Sequence, residues 1–186
     1  MPKLFMLLIG CKPPGRHTEQ HDVFFGIADS VKELIPSIKE FWPEAAGKMH
    51  IDGWREVTLV DGYAVTVQPK KETAINSNTK LFFINLGGYK QNEFEEFHYK
   101  MLVAAKNKSE AINQSKKTAF YLHTGFEGAN SHIDDKYGVD VDDVYEIEDI
   151  LPQQMKYDYS IILSKNETLK SEDELHLGYF KLSSFE

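Results

Sequence analysis

The sequence contains itself twice, and that limits the folds open to it more than any other feature. Leu81-Phe82-Phe83-Ile84-Asn85-Leu86-Gly87, followed by Glu96-Phe97-His98, restates Leu4-Phe5-Met6-Leu7-Leu8-Ile9-Gly10, followed by Glu19-Gln20-His21, at a shift of 77 positions. Without a gap, residues 4–43 match residues 81–120 at Leu4/Leu81, Phe5/Phe82, Gly10/Gly87, Glu19/Glu96, His21/His98, Ala28/Ala105, Glu33/Glu110, Ile35/Ile112 and Lys39/Lys116. Five extra residues in the second copy then set His50-Ile51-Asp52 on His132-Ile133-Asp134. A repeat of this kind makes each copy one supersecondary unit that needs a neighbour to bury its apolar face.

Each copy reads as strand–strand–helix–strand–strand. Residues 3–10 are a continuous apolar run, as in a strand covered on both faces. Lys12-Pro13-Pro14-Gly15-Arg16 breaks it into a loop. A second strand runs from about His21 to Ala28. Ser30 and Glu33 then have capping-box spacing, and Val31, Leu34, Ile35, Ile38, Phe41 and Trp42 form one helical stripe. Pro36 falls inside that helix, and Pro43 ends it. In the second copy, Asn107 and Glu110 take the capping positions. Val57 to Val60 and Tyr63 to Gln68 are strands joined at Asp61-Gly62, a two-residue hairpin turn. Asp142-Asp143 interrupts the later alternation and predicts a bulge. Tyr157 to Lys165 and Leu175 to Leu182 read as further strands. The expected fold is α+β: two pseudo-symmetric strand–strand–helix–strand–strand repeats with mixed sheets, packed by a pseudo-twofold. The first repeat spans 1–69, a polar linker 70–79, and the second repeat 80–186 with the extra C-terminal strands.

Charge and cysteine count narrow the function. A net charge of −8 argues against a nucleic-acid partner, which needs clustered Lys and Arg. Eight acids and one base lie between Asp134 and Asp149, without the calcium-loop spacing of an EF-hand. No apolar run is long enough to span a membrane. Leu8-Ile9-Gly10-Cys11 resembles a lipoprotein cleavage box, but its counterpart at Leu81–Gly88 sits mid-chain, so residues 4–10 read as a core strand. A single cysteine, Cys11, excludes an intrachain disulfide and suits a reducing cytoplasm.

Several stretches together resemble a known family. They are Gly87-Gly88-Tyr89, Glu95-Glu96-Phe97-His98-Tyr99 and His132-Ile133-Asp134-Asp135, with Gly10-Cys11-Lys12-Pro13-Pro14-Gly15 and Glu19-Gln20-His21-Asp22 in the first copy. This wording is similar to domain-of-unknown-function family 1543, in a two-copy form covering nearly the whole chain. The resemblance implies a bacterial origin. It implies no activity and transfers no functional residue.

Once core apolar and capping positions are set aside, the polar matches left in the repeat are Glu19/Glu96, His21/His98, His50/His132 and Asp52/Asp134. Residues two apart in a strand share a face. A strand–helix–strand unit runs its two strands parallel, so His21 and His50 would both open their strands at one sheet edge if those strands were adjacent. Glu19, His21, His50 and Asp52 would then converge, as would Glu96, His98, His132 and Asp134. Two imidazoles and two carboxylates form a shell for zinc, manganese or iron, or an acid–base set. They also form a hydrogen-bonded structural network, which is the reading the sequence favours. Arg16, Trp54 and Tyr89 are candidate ligand contacts. The function expected is a non-catalytic cytoplasmic module that binds a small molecule or protein between the copies, with no obligatory cofactor. A metal-dependent hydrolase and a purely structural homodimer are the alternatives.

Overall fold

A central strand with no free edge organises the N-terminal part of the chain. The computed structural model describes residues 1–70, 78–89, 94–124, 139–166 and 173–185. They form two compact units, Met1–Ile75 with Ile150–Glu186, and Asn76–Asp149. In the first unit, β1 (Lys3–Cys11) lies between β2 (Gln20–Ala28) and β3 (Met49–Glu56), antiparallel to both. β10 (His176–Lys181) adds to the outer side of β3, giving the order β10-β3-β1-β2.

This order corrects one expectation and explains its consequence. β2 and β3 do run in the same direction across α1 (Val31–Phe41), but they are not adjacent, because β1 separates them. α1 covers one face of the sheet. Val31, Leu34, Ile35 and Ile38 pack with Phe5, Leu7, Ile9, Cys11, Phe24 and Ile51 in one buried cluster. Pro36 is accommodated within the helix. Ser30 makes no side-chain cap; Glu33 accepts instead from the Asp29 amide at 3.1 Å. The Asn107 cap does form, with Oδ1 accepting from the Glu110 amide at 2.9 Å.

The hairpin turn is as the sequence predicts. Asp61 and Gly62 have φ of 50° and 76° and join β4 (Leu59–Val60) to β5 (Tyr63–Pro69). Two left-handed residues are what a tight turn of this hand demands. β5 pairs along its other side with β9 (Tyr159–Lys165). The C-terminal strands therefore return to the first unit, through β5–β9 and β3–β10, and do not extend the second repeat. The short helices α3 (Ile147–Ile150) and α4 (Gln153–Asp158) precede them.

In the second unit, β6 (Lys80–Tyr89) lies between β7 (Glu96–Ala105) and β8 (Val139–Glu146), with α2 (Lys108–Thr124) following β7. Its core is Phe82, Ile84, Leu86, Val103, Ala105 and Ala111. Most of the linker, residues 71–77, lies outside the described residues. No helix among the described residues is long and apolar enough to cross a membrane.

Candidate functional site

The site is built over the one position of β1 that has no side chain. Gly10 pairs with His21 on one side and with His50 on the other. Those two backbones are two strand spacings apart, about 10 Å, within reach of two imidazoles stretching toward each other. Ile9 and Cys11 are buried in the core on the α1 side, so Gly10 and His50 present the opposite face. A Cβ at Gly10 would run into His50 Nε2 and would stand 2.5 Å from Asp52 Oδ2. Glycine is here for the room it leaves, since the space above it is filled by the cluster.

A bulge brings in the third group. Leu8 pairs with Gly53 and Ile9 with Ile51, which leaves Asp52 as the extra residue of β3. Bulges re-aim a side chain out of the ladder. Asp52 Oδ1 stands 3.1 Å from His50 Nε2, and its Oδ2 stands 3.2 Å from His21 Nε2. Glu19, just before β2, closes the group from the other side, 3.3 Å from His50 Nε2 and 3.8 Å from His21 Nε2. The cluster is graded from floor to rim. The His50 side chain is 6% exposed and that of Asp52 24%, while Glu19 and His21 stand at 45% and 39%.

Two features mark the floor. His50 Nε2 and Asp52 Oδ2 are buried and have no hydrogen-bond partner. Their neighbours are close but are not aligned for N–H donation. The His50 ring is held in place by Tyr179, stacked at 4.1 Å and 29°. Tyr179 reaches it through a second bulge, between Leu177 and Phe180, where Gly178 adopts a φ of 149°. Among the described residues, no three His, Cys, Asp or Glu side chains are so placed that they could hold a metal ion as they stand. What the cluster shows is two imidazoles, each 3.1–3.8 Å from both carboxylates. Cys11 is not among these groups: burial first, and then the negative field of Glu19, pushes its thiol pKa up.

All four residues that the sequence grouped in the first copy thus come together, across β1 instead of along a shared edge. In the second unit, His98 pairs with Gly87 as His21 does with Gly10. His132 and Asp134 lie outside the described residues. The position opposite Gly87 on β8 is Asp140, and Asp142 is the extra residue at the bulge between Asn85 and Leu86. The residue that stands to Gly87 in strand register as His50 stands to Gly10 is Asp140. Glu96 begins β7 opposite Tyr89. Arg16 is exposed in the β1–β2 loop, and half-buried Trp54 lines a cavity on the other face of the sheet. Sequence reasoning missed Tyr179, which has no counterpart in the repeat.

Fold and cluster define the class: an antiparallel α+β protein with a His–carboxylate centre laid across its sheet. Residues 16–67 match the family model described as Domain of Unknown Function (DUF1543), a stretch that contains Glu19, His21, His50 and Asp52. The chain is also similar to the crystal structure of a protein Il1583 from Idiomarina loihiensis. Identity is 21% and the TM-score 0.65, over 98% of this chain and 99% of that one, a likeness of fold. No curated protein matches the chain.

Proposed function

We propose that this protein is a metal-dependent binding module, with a divalent transition metal held by Glu19, His21, His50 and Asp52. The observation that carries the reading is the pair of buried, unpartnered atoms at the floor, His50 Nε2 and Asp52 Oδ2. A buried polar atom with no partner is costly, and a native protein rarely leaves two side by side. A cation between them satisfies both. The spacing supports this. Metal–ligand bonds of 2.0–2.2 Å place tetrahedral ligands about 3.3–3.6 Å apart. The imidazole–carboxylate pairs here are 3.1, 3.2, 3.3 and 3.8 Å apart. Mixed imidazole and carboxylate suits zinc, manganese or iron.

The half-exposed rim of Glu19 and His21 is the side from which a small molecule reaches the metal. We read the protein as bacterial and cytoplasmic, in keeping with the family wording and the lone buried Cys11. A metal-dependent hydrolase is the second reading. In that reading Glu19, at the half-exposed rim, would serve as a general base and leave His21, His50 and Asp52 to hold the metal.

The test is elemental mass spectrometry of purified untagged protein beside His50→Gln and His21→Ala. Near-stoichiometric transition metal, lost in both variants, upholds the proposal. Wild type that holds no metal and takes up neither zinc nor manganese on titration overturns it. The histidines would then be a structural cluster.

A further inference from the structure

Cations gather at the end of the sheet where the His–carboxylate cluster lies. Lys181 is the strand partner of His50 on β10. Partners in an antiparallel pair point to one face, with Cα atoms about 5 Å apart. Phe180, the residue before it, packs on the α1-side core, so Lys181 turns to the side that holds the cluster. Lys12 and Lys48 come next at the outer end of the neighbouring pair, just past Cys11 and just before Met49, which are partners. Strand alternation carried one residue past that pair sets both on the face of Gly10 and His50. Arg16 stands in the loop that joins β1 to β2 at this same end.

All four are exposed, and none forms an ion pair with a described carboxylate. Lys3 and Lys80, by contrast, hold Glu56 and Glu146 at 2.8 Å. Outside the cluster, Glu44 in the turn before β3 and Asp22, which accepts from the Val23 amide at 2.7 Å, are two acids set against these four cations.

The charge balance selects a ligand class. A divalent metal in the cluster is neutralised by the two carboxylates, Glu19 and Asp52, and imidazoles that hold a metal are themselves neutral. A ligand at the half-exposed rim of Glu19 and His21 therefore meets a neutral centre beside uncompensated positive charge. Lysine meets an anion as a point charge with rotatable donors, which suits a phosphate and needs no planar fork. Several lysines around one centre suit a ligand with more than one negative charge. We propose that the metal centre takes a small phosphomonoester, one phosphate oxygen on the metal at the rim and the others toward Lys181, Lys12 and Lys48. The proposal rests on the metal reading, because without a cation the two carboxylates repel the same ligand. The buried, unpartnered His50 Nε2 and Asp52 Oδ2 are the independent mark of that cation.

The experiment uses the full chain, metal-free and loaded with one equivalent of zinc. Two probes of one shape are compared by calorimetry at about pH 8: phenylphosphonate, a dianion, and benzoate, a monoanion. Phenylphosphonate is expected to saturate the zinc-loaded chain below about 1 mM, at least about tenfold tighter than benzoate, and not to bind the metal-free chain. Lys181→Gln should lose about tenfold in phosphonate affinity, and the double variant Lys12→Gln/Lys48→Gln at least as much, with one equivalent of zinc retained in both. Lys165→Gln, at an exposed lysine of β9, should lose nothing. A chain that takes up no zinc overturns the proposal together with the metal reading. A chain that takes up zinc but binds phenylphosphonate no better than benzoate overturns this proposal alone. So does equal binding with and without zinc, or binding by the Lys181, Lys12 and Lys48 variants as tight as that of wild type.

Discussion

Gly10→Ala separates a functional glycine from a merely permissive one. Gly10 does not have a positive φ, so alanine fits its backbone. Replacing a strand glycine by alanine ordinarily stabilises by about 0.5–1 kcal/mol, through the entropy of the unfolded chain. Here the new methyl would collide with His50 Nε2 and lie 2.5 Å from Asp52 Oδ2. The Asp52 carboxylate can swing outward. The His50 ring cannot easily do so, being buried on the strand side and covered by Tyr179. Overpacking of this kind costs about 1–3 kcal/mol. The net expectation is a loss of about 1 kcal/mol and at most about 2.5 kcal/mol. The cluster's donors are spread apart in the process. Metal linkage makes the second readout sharper. A ligand at a hundred times its dissociation constant stabilises by about 2.7 kcal/mol. Thermal unfolding with and without added zinc should show that increment in wild type and none in Gly10→Ala. Gly26→Ala is the control, since its methyl would meet Leu34 and Phe24 on the helix side, 2.7 and 2.8 Å away. It should lose similar stability and keep the zinc increment. A Gly10→Ala protein as stable as wild type, with its zinc response intact, would refute the reasoning.

Three further outcomes are expected. Leu34→Ala, at a position with no exposure in the helix–sheet core, should cost about 2–5 kcal/mol in denaturant unfolding while leaving the strands paired. Cys11, with its thiol pushed up by burial and by Glu19, should react with a disulfide reagent at pH 8 far more slowly in native than in unfolded protein. Its raised value makes the linked stability present below the ordinary thiol range and lost as pH rises through the native value. Lys80 is raised chiefly by its hydrogen bond to Glu146 at 2.8 Å, so its contribution is complete below the ordinary value of 10.5 and disappears as pH climbs through the raised one. Glu146→Gln should be slightly less stable than wild type at neutral pH, and the two unfolding curves should draw together in strong alkali.

What the sequence showed, and what it hid, follows the range of the interactions. The apolar run at residues 3–10, the stripe from Val31 to Ile38 and the turn at Asp61-Gly62 are local signals, and each element formed where its pattern lay. The convergence of Glu19, His21, His50 and Asp52 was also legible, because strand direction across a helix is a robust rule. The insertion of β1 between their strands was not, since strand order is set by burial over long separations. The pairing of β9 with β5 spans about a hundred residues of sequence, and no local pattern announces it. The Ser30 capping box failed for a different reason. Glu33 found the Asp29 amide while Ser30 contributed only its carbonyl, an exposed choice that packing does not decide.

The β1–β2 and β6–β7 ladders share one register. A shift of 77 carries the β1–β2 ladder onto β6–β7 pair for pair, from Lys3↔Ala28 on Lys80↔Ala105 to Gly10↔His21 on Gly87↔His98. The third strand follows a different shift. Phe5↔Glu56 corresponds to Phe82↔Glu146, and Gly10↔His50 to Gly87↔Asp140, with the bulge between equivalent residues. More residues separate helix from strand in the second unit, and His132-Ile133-Asp134 lies outside the described residues. Loop length is cheap in folding, whereas a one-residue slip of register turns every side chain of a strand over. The strand therefore keeps its place in the ladder although more residues separate it from the helix. What recurs opposite the glycine is an acid-rich strand with a bulged aspartate, Asp52 in one and Asp142 in the other. The histidine opposite Gly10 is thus particular to the first unit, so His50→Gln should remove the metal there without a second histidine on β8 to stand in for it.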